Sequence, residues 1–293
     1  MEKIEINTTL CKSCGVCVEI CPNKVFRQEN GQTSIIKERI PLCFTCGQCM
    51  AICAAEAVTV EGYTYEKNFY TLPEPTSYEK SFLDLIRSRR AVRNFLDKPV
   101  PRELLEKIAE AISMAPPGLP PVKVELTIVQ NTDLIRKSLP YMIEDYDFLY
   151  KGMHNPLMRF FIKKQAGKEM FRVLESHIVP MMKERLPGLK TGTEDTITRY
   201  APAMILFHAN RNEILYKEDI NIAVTYGFLA AHAFGLGGSA MTIIYPMIER
   251  NKALRRLFSI PEANEVVGSI ILGYPKYSFK RGIRRPLKNI TWL

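Results

Sequence analysis

CKSCGVCVEICP, residues 11–22, places four cysteines in twelve positions, and CFTCGQCMAICA, residues 43–54, repeats the rhythm with Cys43, Cys46, Cys49 and Cys53. Aligning Cys11 with Cys43 superposes CKSCGVCVEICPNKVF on CFTCGQCMAICAAEAV, an internal duplication with a period of 32 residues. All eight cysteines lie between Cys11 and Cys53, and the 240 residues that follow contain none, so these thiols serve the N-terminal piece alone. Two half-units of this size make one small module, expected over residues 1–65.

The opening MEKIEINTTL shows no basic flank ahead of an apolar core, so a reducing, cytoplasmic setting is expected and disulfides are the weaker reading. Sets of four thiolates suit zinc or iron–sulfur iron. Zinc needs only two CxxC pairs per site, whereas each run here carries a third and a fourth cysteine. Cys11, Cys14, Cys17 and Cys21-Pro22 match C-x2-C-x2-C-x3-C-P, and the first sixty or so residues resemble a bacterial two-cluster ferredoxin. The resemblance implies two 4Fe-4S clusters with exchanged fourth ligands. Cys11, Cys14, Cys17 and Cys53 would hold one cluster, and Cys43, Cys46, Cys49 and Cys21 the other. Ala54 stands where the duplicate would carry a proline, and a pair of zinc sites remains the alternative.

The chain of 293 residues has room for a second, larger domain. Its net charge of +9 is uneven: residues 1–65 hold six Lys/Arg and seven Asp/Glu, leaving 34 of 40 and 24 of 31 for the rest. No aromatic-interleaved basic stripe accompanies the surplus, so a phosphorylated cofactor or an acidic redox partner is expected and nucleic acid is not. Residues 220–248 lack any charge, long enough to raise a membrane span, but Asn221, Thr225, His232, Ser239 and the GLGG stretch favour a buried helix followed by a strand. YTLPEPTSYEK, residues 70–80, reads as the end of a linker over 66–80. Beyond it, SFLDLIRSRR, PRELLEKIAEAIS and ERNKALRRLF have helical spacing. VKVELTIVQ, AMILFHA and EVVGSIILG read as strands, and residues 133–200 as a helical excursion. Strands interleaved with longer helices point to a helix-covered sheet.

One-electron centres tethered to 220 further residues ask for an acceptor, and a flavin converts one-electron supply into two-electron chemistry. No GxGxxG follows a strand, which argues against a dinucleotide fold. IRSRRAVRNFLDKPVPRELLEKIAEA instead concentrates arginines at 87, 89, 90 and 93; arginines at a helix end often merely face water. The stretch nevertheless resembles the N-terminal signature of the nitroreductase family of FMN enzymes. Ala115-Pro116-Pro117-Gly118, LAAHAFGLGGSAM and ILGYPKYSFKRGIRRPL follow in the family's order, so that the resemblance spans residues 81–293.

That resemblance implies an α+β chain, a ferredoxin-like module fused to a nitroreductase-like domain with a helix-covered mixed sheet. It implies FMN held by Arg89, Arg90, Ala91 and Arg93, closed by Arg281 and Arg284, with Gly237, Gly238 and Ser239 near the flavin. It also implies a homodimer in which Pro116, Pro117 and Gly118 reach the partner's flavin. Ala91 replaces the usual Ser, and Pro117 and Pro120 stand where the family often has Ser and Asn, so some customary flavin hydrogen bonds are missing. His154, His177, His208 and His232 fit no metal spacing, and His208 and His232 are expected as satisfied core histidines. Tyr141, Tyr146 and Tyr150 are expected to pack rather than to act on substrate.

The function expected is electron flow from an external donor, reduced ferredoxin or flavodoxin, through the clusters to FMN and on to a small nitroaromatic, quinone or activated alkene. The rival is an electron carrier whose C-terminal domain docks a partner or relays electrons without its own substrate. Reductive dehalogenation and flavin breakdown are further possibilities on the same fold.

Overall fold

In the computed structural model, residues 4–71, 78–118, 120–283 and 287–293 are described. The chain forms two compact units: Met1–Ser77 with Pro117–Val122, and Tyr78–Pro116 with Lys123–Leu293.

In the first unit, β1 (Ile4–Ile6) precedes α1 (Val16–Ile20), β2 (Phe26–Glu29), β3 (Gln32–Ile35) and a 3-10 turn at Lys37–Leu42. Then come α2 (Gln48–Ala51), β4 (Val58–Val60) and α3 (Tyr65–Asn68). β1 pairs antiparallel with β4, and β2 with β3 through Asn30-Gly31, whose φ values of 48° and 74° make the tight turn that an Asn-Gly pair favours. The duplication is written into the backbone. Ser13 and Thr45 take φ of 50° and 52°, Gly15 and Gly47 78° and 74°, and Lys24 and Glu56 50° and 51°. Ile4, Val25, Phe26, Met50, Val58 and Val60 form a small core with Cys17 and Cys49. Tyr65 and Phe69 pack against it, so the module continues past residue 65 into what had read as linker. Residues 72–77 of that stretch lie outside the described residues.

The second unit opens with α4 (Glu79–Ser88) and α5 (Arg102–Ser113), then β5 (Glu125–Val129). The helical excursion follows as α6 (Thr132–His154), α7 (Pro156–Val173), a π-turn at Leu174–Ile178, and α8 (Val179–Thr191). Asn131 and Asn155 start α6 and α7 by accepting two backbone N–H groups each. Next are β6 (Ala203–Asn210), α9 (Tyr216–Ala233), β7 (Gly237–Ala240), α10 (Ile244–Arg250), α11 (Lys252–Leu257) and β8 (Asn264–Gly273). The sheet runs β5-β6-β8-β7, all antiparallel, and the bridge from Ala91 to Gly238 adds a parallel contact at the β7 edge.

The charge-free stretch from Ile220 is not a span: it folds as the rest of α9, then β7, then the start of α10. Among the described residues no helix is long and apolar enough to cross a membrane. Ile220, Ala223, Gly227, Ala230 and Ala231 form the buried stripe of α9. A Cβ on Gly227 would come within 3.1 Å of Ile270 Cδ1 and 3.3 Å of Ile112 Cδ1, which shows how closely α9 approaches β8 and α5. ERNKALRRLF, expected as one helix, is split at Asn251, whose side chain accepts from Ala253 and Leu254 N–H and begins α11 afresh.

Candidate functional site

The first unit gathers the cysteines into two quartets. A cavity of about 430 Å³ is lined by Cys11, Cys14, Cys17 and Cys53, with Ile6, Val16, Ala57 and Val58 supplying apolar wall. Cys17 has the sulfurs of Cys11, Cys14 and Cys53 as its neighbours, and Cys49 those of Cys46, Cys43 and Cys21. Each set thus takes its remote member from the other repeat.

Backbone donors point at sulfur in symmetric pairs. Ser13 and Thr45 N–H reach Cys11 and Cys43 Sγ at 3.4 and 3.3 Å, and Val25 and Ala57 N–H reach Cys21 and Cys53 Sγ at 3.4 and 3.3 Å. Burial pushes the Cys49 thiol up to about 12, and Cys17 rises for the same reason, with neighbouring sulfurs adding to both. Metal binding at either must therefore displace a firmly held proton. Among the described residues no three His, Cys, Asp or Glu side chains close on a point fit for a single metal ion. The Cys11 quartet surrounds a cavity, an arrangement that suits a polynuclear cluster with N–H donors to its sulfurs.

In the second unit a cavity of about 290 Å³ is lined by Arg89, Ala91, Arg93, Gly238 and Ser239, together with Thr225, Phe228, Leu229 and Ala240. Two distant stretches meet here because residues 91–92 lie on the free edge of β7: Ala91 bridges Gly238, and Val92 N–H donates to Gly238 O at 3.0 Å. Gly237 makes that approach possible, since a Cβ there would stand 2.5 Å from Val92 Cγ2. The segment then runs along the end of β8, with Leu96 N–H donating to Tyr274 O at 2.9 Å and Lys276 N–H to Asn94 O at 3.0 Å.

Positive charge dominates this place. The Arg89 guanidinium sits 5.8 Å from the Phe228 ring centre, and Arg90 Nε is buried with no hydrogen-bond partner. Burial, then Arg89 and Arg90, hold His232 below its usual proton affinity; its Nε2 lies 2.8 Å from Ser88 Oγ. Arginine side chains lining a cavity of this size, with the partly buried Arg90 behind them, suit a phosphorylated cofactor.

The remaining expected residues do not all arrive. Arg90 and Gly237 stand behind the cavity wall rather than in it. Gly282 brings the C-terminal segment to Arg90, where an added Cβ would be 2.8 Å from Nη2, but neighbouring Arg281 is exposed and lines no part of the cavity. Arg284 lies outside the described residues. Pro116, Pro117 and Gly118 do not line the cavity, and Pro117 and Gly118 are grouped with the first unit. Thr225, Phe228 and Leu229 escaped the sequence reading, although their spacing of three and four on α9 marks the face opposite its buried stripe.

His208 is the satisfied core histidine expected. It is buried, with Asn264 Nδ2 donating to its Nδ1 at 2.8 Å and Thr127 Oγ1 3.1 Å from its Nε2.

The profile of the nitroreductase family matches residues 86–274. The chain belongs to the nitroreductase family. This membership makes it an FMN-dependent oxidoreductase by class, and a 4Fe-4S dicluster domain matches residues 10–58 ahead of it. A Methanothermobacter thermautotrophicus protein provisionally named an NADH dehydrogenase/NAD(P)H nitroreductase is 27% identical over 193 residues, 66% of this chain and 76% of that one. Iodotyrosine deiodinase 1 of Rattus norvegicus is 23% identical over 225 residues, 74% and 70% of the two chains. The FMN-bound nitroreductase structure from Bacteroides fragilis superposes with a TM-score of 0.53 at 19% identity, covering 72% of this chain and 97% of that one. At that identity the likeness establishes the nitroreductase fold.

Proposed function

We propose that the protein is an iron–sulfur flavoenzyme. It takes electrons from an external low-potential donor, reduced ferredoxin or flavodoxin, and passes them through two 4Fe-4S clusters to FMN and on to a small nitroaromatic, quinone or activated alkene. The observation that carries this reading is the pairing, in one nitroreductase-family chain, of two crossed cysteine quartets with an arginine cavity at the β7 edge.

Cys11, Cys14, Cys17 and Cys53 would ligate one cluster and Cys43, Cys46, Cys49 and Cys21 the other, with the four N–H donors stabilising negative charge on sulfur. Bound FMN would supply the exchange between one-electron and two-electron chemistry. Arg89 and Arg93 hold fixed positive charge in that cavity, which favours an anionic reduced ring and a phosphate. Gly237 and Gly238 keep the strand against residues 91–92, and Ser239 offers the cavity its backbone and hydroxyl. Ala91 presents a methyl where the family's serine would place a hydroxyl. We place the enzyme in the cytoplasm as a homodimer.

The test is an anaerobic reductive titration of the cluster- and FMN-reconstituted chain. Two clusters and one flavin take up about four electrons, the flavin band bleaching separately from the broad sulfur-to-iron absorption. Uptake of about two electrons without a flavin band would replace this reading with that of a carrier protein. The acceptor screen that follows includes a halogenated phenol, because iodotyrosine deiodinase 1 is among the relatives.

A further inference from the structure

The two cysteine quartets share a backbone plan but not a setting. In the 32-residue register of the duplication Lys12 answers to Phe44, Ser13 to Thr45, Gly15 to Gly47 and Lys24 to Glu56. The backbone donors match, at 3.4 and 3.3 Å in both pairs, so what separates the two sites comes from side chains.

Lys12 lines the cavity ringed by Cys11, Cys14, Cys17 and Cys53, and it enters none of the ion pairs among the described residues. Its counterpart in the second repeat, Phe44, carries no charge. Ser13 Oγ lies 4.0 Å from Cys11 Sγ and accepts the N–H of Thr33 at 3.4 Å, which leaves its own proton to turn toward sulfur. Thr45 does not do the same for Cys43, because its hydroxyl donates to Phe44 O at 2.7 Å.

The covers of the two ligand loops differ as well. A Cβ on Gly15 would meet Gln28 Oε1 at 2.6 Å, and Gln28 Nε2 donates to Ser13 O at 2.5 Å, so a polar amide lies over the Cys11 loop. A Cβ on Gly47 would instead meet Phe69 Cζ at 3.6 Å and Tyr63 Cε1 at 3.9 Å, so aromatic rings lie over the Cys43 loop. Cys14 is exposed where Cys46 is half-buried. Glu19, Lys24 and Glu56 are the other charges close to the ligands in sequence. All three are exposed to the screening of water, and none lines the Cys11 cavity.

We propose that the Cys11 quartet holds the higher-potential cluster of the two, with Lys12 and Ser13 as the residues that raise it. The assignment rests on reading both quartets as 4Fe-4S sites. Reduction of a site adds one electron from the external donor, and with it one negative charge, without making or breaking a bond. A cationic side chain, an O–H donor to sulfur and access to water each stabilise that added charge, and each favours the Cys11 site. The first electron to enter the module settles there, and the Cys43 site under its aromatic cover is the stronger reductant.

The experiment is an anaerobic potentiometric titration of the full-length, cluster-reconstituted chain, followed by electron paramagnetic resonance, with Lys12→Met, Lys12→Arg, Ser13→Ala and Thr45→Ala variants. Two one-electron transitions at separate potentials are expected, and Cys53→Ser removes the higher. Lys12→Met and Ser13→Ala each lower the higher transition by about threefold in its reduction equilibrium, about 30 mV for one electron, and together by about tenfold, about 60 mV. Lys12→Arg keeps the parent value, and Thr45→Ala moves neither transition.

Equal potentials in the parent chain, or loss of the lower transition from Cys53→Ser, overturn the proposal. So does a double variant of Lys12→Met and Ser13→Ala that leaves the higher transition in place or moves both transitions alike. Iron and sulfide content is measured first. A chain that takes up zinc and no iron sinks the cluster reading and this assignment with it, whereas two clusters of equal potential sink the assignment alone.

Discussion

Replacing Gly237 with alanine tests the close approach that builds the arginine cavity. The new Cβ would stand 2.5, 2.6 and 2.8 Å from Cγ2, Cβ and Cγ1 of Val92, itself only 9% exposed. No rotamer of Val92 clears its own Cβ, so the 91–92 segment must retreat from β7 by roughly 1 Å, and overpacking of this kind costs about 1–3 kcal/mol. The Val92 N–H bond to Gly238 O, 3.0 Å long, lies across the same gap and is lost with it, adding about 1 kcal/mol. The expected total is about 2–4 kcal/mol, with FMN affinity falling about 10-fold or more because Ala91 and Arg93 move with the segment. Urea unfolding followed by far-ultraviolet circular dichroism reads the first quantity, and recovery of free-flavin fluorescence reads the second. The decisive comparison is the double variant with Val92→Gly, which removes the facing Cβ as well as both methyls. If the clash is the cause, it is less destabilised than the two single changes combined by about 1 kcal/mol or more. Strict additivity would refute the steric account, as would a Gly237→Ala protein of unchanged stability and flavin content.

Three further outcomes are expected. Cys53→Ser and Cys11→Ser abolish the same electron paramagnetic resonance signal and leave about four irons per chain, whereas Cys21→Ser abolishes the other; loss of one signal by both Cys53→Ser and Cys43→Ser would disprove the crossed quartets. Ala91→Ser restores a hydroxyl to the cavity wall and tightens FMN binding several-fold in a fluorescence-quenching titration, and unchanged affinity would remove Ala91 from the flavin site. His208 is held below its usual proton affinity by burial, with Glu125 opposing and Arg255 adding to the effect. Its folded value therefore lies below the ordinary one of about 6.5, so stability is full above that pH and declines as pH falls through it toward the folded value. His208→Gln flattens the decline in urea midpoint between about pH 7.5 and 5.5, and an unaltered slope would place the effect elsewhere.

Local chemistry was legible in the sequence and convergence was not. Cys11 to Cys21 and Cys43 to Cys53 point to the cluster role proposed for them because three thiols fit in one turn of chain, and the shared φ values at Ser13 and Thr45 show that the duplication reached the backbone. Arg89, Ala91, Arg93, Gly238 and Ser239 could be paired only through resemblance, since the bridge from Ala91 to Gly238 joins residues far apart in sequence. The break at Asn251 was readable in principle, because an asparagine two residues ahead of an apolar helical register is a helix start. The linker reading over 66–80 rested on its two prolines, and the contact of Phe69 with the small core, made through the short helix α3, left no periodicity to read.

The crossed quartets interlock the two repeats of the first unit. A chain cut between Leu42 and Cys43 leaves four cysteines on each side, yet completes neither site, because Cys53 belongs with Cys11, Cys14 and Cys17, and Cys21 with Cys49 and its neighbours. During synthesis neither quartet is complete until the second repeat emerges, and the last cysteine to appear, Cys53, completes the quartet whose first three members appeared earliest. A single repeat on its own would complete such a quartet only by exchanging its fourth cysteine with a second molecule.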